Sequence, residues 1–234
     1  MPTMLVIGSA PCLYDDVRRA LELRPFAEAI MVNGACAALD WPGHMLCGHE
    51  EKTAEFVLAR QHAFPGKPLP RIHATFHRLS GVKSAETRVE EAKQRFPLVT
   101  DWWPFEVGGH AGSAGKAINI SRLLGFDEAI LCGCPMDGSG YFPGEGDGFD
   151  PAHPGAGGIK QGMNCLRIGD GGKARGYPKP GTGGREWMDV QETKIVRGYR
   201  EHFARLAKEV FSTGVYSMSG WTRQCVGEPP EEHT

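Results

Sequence analysis

Hydrophobic residues along the chain fall into short continuous runs, separated by small-residue turns and amphipathic stretches. Met4-Leu5-Val6-Ile7 is apolar throughout, as expected of a strand covered on both faces and hence of a parallel sheet. Gly8-Ser9-Ala10-Pro11 follows as a turn. Leu13, Val17, Ala20 and Leu21 then recur at helical spacing, and Pro25 ends that helix near Leu23. Ala29-Ile30-Met31-Val32 is a second buried strand, closing at Asn33-Gly34. Strand, turn, helix and strand make a βαβ unit, whose crossover is expected to be right-handed.

The same alternation continues. His44-Met45-Leu46-Cys47 reads as a third strand, followed by Gly48-His49-Glu50 and a helix from about Lys52 to His62. After a Pro- and Gly-rich linker at 65–70, Arg71-Ile72-His73-Ala74 reads as a short strand. Ser84 to Arg95 is a charged surface helix with Val89 and Ala92 facing inward, and Trp102-Trp103-Pro104 reads as an aromatic loop. A second run of small residues, Gly108 to Gly115, feeds a helix from Lys116 to Leu124 with Gly125 at its C-cap. Glu128 to Gly133 is the next strand; Thr193 to Phe211 reads as the last helix and Gly214 to Met218 as the last strand. The expected architecture is α/β, a mainly parallel sheet flanked by helices, in a single domain spanning 1–226.

Composition changes this picture in one place. Segment 138–186 holds half of the chain's 32 glycines and few aliphatic residues, too little apolar surface for a core of its own. It is expected to be a mobile lid inserted before the last helix, because long structureless loops in compact domains usually serve a function. The tail 227–234, with Pro229-Pro230-Glu231-Glu232, is expected to be disordered. Hydrophobic residues at 41% and charged residues at 23% support a real core. A net charge of −2 gives no global attraction for nucleic acid, which is a permitted partner but not a favoured one. Seven cysteines without a C-x-x-C pair suggest free thiols in a reducing compartment. No run approaches the ~18 apolar residues of a membrane span, and the start lacks a basic leader; the expected location is cytoplasmic.

Candidate chemistry gathers at the strand ends. The turns Gly8-Ser9-Ala10-Pro11 and Gly112-Ser113-Ala114-Gly115 each precede a helix. Small residues there let backbone approach a phosphate, and a helix N-terminus favours an anion. Neither turn is a dinucleotide fingerprint or a Walker A loop. Asn33 can both donate to and accept from a base or ribose. Asp137 follows the strand ending at Gly133, with Tyr141 four residues on. His49, beside Glu50, and His110 are the histidines best placed for acid–base work, and His153 lies in the lid. Lys160, Arg167, Lys173, Arg175, Lys179 and Arg185 make the lid locally basic, suited to a phosphate or a nucleic-acid backbone. The histidines and cysteines show no metal-site spacing, so no metal is assigned.

Taken in order, Leu5-Val6-Ile7-Gly8-Ser9-Ala10-Pro11-Cys12-Leu13, Val32-Asn33-Gly34, Ala111-Gly112-Ser113-Ala114-Gly115 and Leu124 to Gly133 resemble a known pattern. It is that of the Rossmann-like superfamily of bacterial lipooligosaccharide sialyltransferases and archaeal-type 6-hydroxymethylpterin diphosphokinases. Uncharacterised bacteriophage proteins look closest, including a segment like His49 to Lys52. The resemblance implies a nucleotide-binding transferase, foremost a glycosyltransferase with a nucleotide-activated sugar donor. Gly8, Ser9, Pro11, Asn33, Gly112 and Ser113 would hold the nucleotide, and Tyr141 would steady the leaving phosphate. The family's second phosphate-binding Tyr has no counterpart here, and Asp137 lies near its place. The family's catalytic His precedes the last helix; residues 181–194 contain no His but do contain Trp187, leaving His153 as the substitute candidate. No cofactor is required on this reading. Two alternatives stand: a magnesium-dependent pyrophosphate transfer using Asp137 with Asp147 or Asp150, and a non-catalytic nucleotide-binding phage accessory protein. No motif names the acceptor.

Overall fold

The computed structural model describes residues 2–25, 27–48, 50–75, 85–103, 112–136, 167–168, 174–178, 187–188, 194–209 and 214–231. The apolar runs form the strands they predict: β1 (Thr3–Ile7), β2 (Glu28–Val32), β3 (His44–Cys47), β4 (Arg71–Thr75) and β6 (Glu128–Cys132). Between β4 and β6 lies a short β5 (Asp101–Trp103), where the sequence suggested only an aromatic loop. Its pairing is imposed from outside. Thr100 brackets Ile72 through its backbone N–H and its hydroxyl, and Asp101 is clamped by Arg71. Three residues are too few to show a period of their own.

These strands and β10 (Val215–Ser217) form one all-parallel sheet in the order β10-β6-β1-β2-β3-β4-β5. Alternate residues of each apolar run go to opposite faces, which explains why the runs are continuous. Leu5, Ile7, Ala29, Met31, Met45, Cys47 and Ile130 share one face with α1 (Leu13–Leu23) and α2 (Thr53–Ala63). Met4, Val6, Ile30, Val32, Leu46 and Leu131 share the other with α4 (Gly112–Leu123) and α5 (Lys194–Glu209). Fully buried aliphatic side chains of this kind each contribute about 1.5–3 kcal/mol. A charged helix, α3 (Ala85–Arg95), precedes β5, with Ala92 buried as its spacing predicts.

The strand order places the site. From β1 to β5 the sheet grows in one direction; α4 then carries the chain back, and β6 is laid on the other side of β1. The carboxyl ends of β1 and β6 therefore flank a topological switch point, where open α/β sheets bind ligands.

Two expectations are corrected and one element is added. Segment 138–186 is not structureless throughout: β7 (Arg167–Ile168) and β8 (Ala174–Pro178) pair antiparallel, and β8 pairs with β9 (Trp187–Met188). A helix without a clear sequence signal, α6 (Gly220–Val226), follows β10 and ends at Gly227 with φ +80. Residues 227–231 are docked rather than disordered. Pro229 is buried, and the Pro230 carbonyl accepts from Arg24 at 3.2 Å. Arg24 also forms a buried ion pair with Glu128 at 2.8 Å, locking the amino edge of the sheet. No described helix is long and apolar enough to cross a membrane.

Candidate functional site

The two small-residue turns both reach the carboxyl edge of the sheet, but their surroundings differ. At the first, the Gly8 N–H donates to the Cys132 carbonyl at 2.8 Å and the Ala10 N–H to the Gly133 carbonyl at 3.1 Å. A Cβ on Gly8 would lie 2.4 Å from both the Gly133 carbonyl and the Cys134 sulfur. Gly133, at φ +64, would meet the Gly8 carbonyl at 2.7 Å. Bare backbone packing between β1 and β6 therefore requires both glycines. Ser9 is half-buried and Pro11 exposed at the edge of this contact.

The helix behind this turn is not a free anion site. Asp15 and Asp16 occupy the first turn of α1 and neutralise its positive end. Asp16 accepts from the Gly133 N–H at 2.8 Å and from the Ser219 hydroxyl at 2.6 Å. Cys12 touches the same hydroxyl at 3.2 Å. Ser219 stands where an N-cap of α6 would be, yet its hydroxyl goes to Asp16 rather than to the helix.

The second turn is itself the first turn of α4, so that helix begins at Gly112 (φ +70) rather than at Lys116. Its first turn holds no acid. Asn33 leaves β2 in the left-handed region at φ +52, a conformation tolerated by Asn better than by most residues. That bend turns its amide toward β3 and α4. Its Oδ1 accepts from the Gly48 N–H at 2.8 Å, and its Nδ2 donates to the Ser113 hydroxyl at 3.4 Å. The amide orientation follows from this pair of partners. Gly48 is required here too, because a Cβ would lie 2.2 Å from the Ser113 oxygen. The short helix that Asn33 opens, Asn33–Ala37, is held by buried Arg60 of α2, which donates to the carbonyls of Cys36 at 2.9 Å and Leu39 at 3.0 Å.

Three groups at this edge escaped the sequence reading. Lys116 lies one turn beyond Ser113, and its Nζ donates to Thr75 at the end of β4 at 2.8 Å. The i, i+3 spacing from Ser113 was the available signal. Gly48 could have been suspected only as a strand-end glycine. Arg200 of α5 donates to the Met136 carbonyl at 2.6 Å and stacks 5.3 Å from the Trp221 ring. It thereby holds the exit of β6 beside Met136, which is also left-handed at φ +48.

Of the expected site residues, the structure brings Asn33 and Ser113 together, with Gly112 adjoining. It sets Gly8, Ser9 and Pro11 at the end of β1 on the same carboxyl edge. His49, Asp137, Tyr141 and His153, and the side chains of the basic lid residues, lie outside the described residues. Cys36, Cys47 and Cys132 are buried and Cys134 is half-buried; desolvation pushes their thiols up, Cys47 and Cys134 to about 12, which disfavours the nucleophilic thiolate. Among the described residues no group of three or more His, Cys, Asp or Glu could hold a metal ion.

No family model and no curated protein matches this sequence. In architecture the chain is a Rossmann-like α/β fold built on a seven-stranded all-parallel sheet. Among solved structures its fold is similar to that of the sialyltransferase CstII from Campylobacter jejuni, in complex with the substrate analogue CMP-3FNeuAc. The TM-score is 0.58 at 12% identity, covering 100% of this chain and 89% of that one. A likeness at this identity is one of fold.

Proposed function

We propose that this chain is a nucleotide-binding transferase, and specifically a glycosyltransferase that uses a nucleotide-activated sugar. One observation carries the reading: Asn33, Gly48 and Ser113, from three different elements, converge at the acid-free N-terminus of α4 with Lys116 one turn away. Such a cluster offers a nucleoside phosphate two things. The first turn of α4 and Lys116 favour its negative charge. Ser113 and Asn33 supply hydroxyl and amide groups for a ribose or base. Gly48 holds that pair in place: its N–H fixes the Asn33 amide, and its missing Cβ leaves room for Ser113. Ser9 and Pro11, at the less buried edge of the β1 turn, border this surface toward the switch point.

In this mechanism the nucleotide monophosphate or diphosphate is the leaving group. Its charge is stabilised by the α4 turn, Lys116 and Tyr141, which act where charge develops. A carboxylate or imidazole, Asp137, His153 or His49, takes the proton from the acceptor hydroxyl. The donor is a substrate, and no resident cofactor is invoked. A CMP-linked sugar is the first donor to try, because the CstII structure contains one.

The decisive measurement is calorimetric titration of the protein with CMP, UDP, GDP and ADP, followed by release of the nucleotide from the matching sugar donors. Binding of one nucleotide in the micromolar range is expected, weakened about tenfold in Ser113→Ala. The reading fails if none binds, or if Ser113→Ala and Asn33→Ala bind as the unaltered protein does.

A further inference from the structure

Away from the α4 turn, the sheet buries two histidines that the proposed chemistry does not use. His73 of β4 has no exposed surface, and His44 at the start of β3 is half-buried. Both lie on the face shared with Leu46 and α4. His73 Nε2 is 2.8 Å from His44 Nδ1, with the rings 5.0 Å apart. The other nitrogen of His73, Nδ1, receives the indole N–H of Trp103 at 3.1 Å.

Donor and acceptor directions settle the protons. An indole N–H only donates, so His73 Nδ1 must present a lone pair. A neutral imidazole with a bare Nδ1 carries its hydrogen on Nε2, and that hydrogen points at His44 Nδ1. The chain Trp103, His73, His44 therefore has one proton arrangement. A second proton on His73 can go only to Nδ1, where it would face the indole N–H. Asp101 Oδ2 lies 3.8 Å from that same nitrogen, ready to accept it.

We propose that His73 is a positioning residue with an acid-sensitive switch: neutral, it locks Trp103 to β4; protonated, it turns its Nδ1 hydrogen to Asp101 and releases Trp103. The charged groups around the pair are Glu28 of β2, Arg71 of β4, Asp101 of β5 and, from α4, Lys116 bound to Thr75. Burial, His44 and Arg71 resist the proton on His73, while Asp101 favours it. The lock bears on the candidate site because Thr75, two residues along β4 from His73, receives Lys116. That consequence rests on the nucleotide reading; the switch itself does not.

Nitrogen-15 NMR of the histidine rings and tryptophan indoles tests it, with Trp103 assigned through Trp103→Phe. Near pH 7.5 His73 is expected as the Nε2–H tautomer with a slowly exchanging Trp103 N–H. Both signals should change together with one protonation below about pH 5. In His73→Gln an amide oxygen can still accept from Trp103, and the indole signal should not titrate. An Nδ1–H tautomer at neutral pH, an indole unmoved down to about pH 4, or titration of Trp103 in His73→Gln each overturns the switch. Should His73→Gln fail to fold, the wild-type spectra alone decide. CMP provides the second arm, its own phosphate titration being common to both proteins. Between pH 7.5 and about 4 the wild-type protein should lose about twofold more affinity than His73→Gln. An equal loss overturns the positioning role. Absence of CMP binding at every pH counts against the proposed function, and the indole titration then decides the switch by itself.

Discussion

The turn before α1 and the turn that opens α4 look alike in sequence, each a short run of small residues ahead of a helix, yet the fold puts them to different uses. The α1 turn is consumed by packing. Gly8 lies against Gly133, and Asp16 spends its carboxylate on the Gly133 N–H and Ser219. The α4 turn has no acid, faces Asn33 and Gly48, and carries Lys116. A small-residue turn before a helix is thus ambiguous. What separates a structural turn from a ligand-binding one is what stands opposite it and the charge within its first helical turn.

That contrast can be broken at graded cost. The largest effect should come from the amino edge, far from either turn. Glu128→Gln removes the carboxylate that compensates the buried Arg24 charge, and urea denaturation should show a loss of about 3–5 kcal/mol with nucleotide affinity retained. Next is acid. Burial, with His44 and Arg71 beside it, lowers the His73 pKa from 6.5 to about 4. The unfolded chain therefore takes up this proton first as pH falls. The stability that His73 contributes is whole above about pH 6.5 and is lost progressively toward pH 4, by roughly 3 kcal/mol. Denaturation midpoints across that range measure it, and in His73→Gln the slope should flatten.

Two smaller perturbations address the turns directly. Asp16→Asn weakens the charge-assisted bonds at α1 and should cost about 1.5–3 kcal/mol of stability while leaving nucleotide affinity unchanged. Lys116→Met should do the reverse: little change in unfolding, and about a tenfold rise in nucleotide Kd, or ~1.4 kcal/mol. If Asp16→Asn weakened binding as much as Lys116→Met, the division of labour between the two turns would be wrong.

Much of the sheet was readable because a strand covered on both faces must be apolar along its length, and β1, β2, β3 and β6 are, after their first residues Thr3, Glu28, His44 and Glu128. Strand β5 was not readable, because its pairing comes from Thr100, just before the strand, and from Arg71 of β4 rather than from any pattern within Asp101–Trp103. The helix α6 was missed because its Ser219 is committed to Asp16, more than two hundred residues away. In the site, Asn33 and Ser113 stood out as residue types. Gly48 and Lys116 did not, since a strand-end glycine and a helical lysine are ordinary until the structure shows what they face.

Local chemistry was enough to establish an α/β protein with parallel strands, most of its helices and two candidate turns, because burial on two faces and helical periodicity leave marks within a few residues. Strand order, and with it the site, was decided only in three dimensions. The insertion of β6 beside β1, and the meeting of Asn33 with Ser113 across 80 residues, depend on long-range pairing and packing, which leave no periodic trace in the chain.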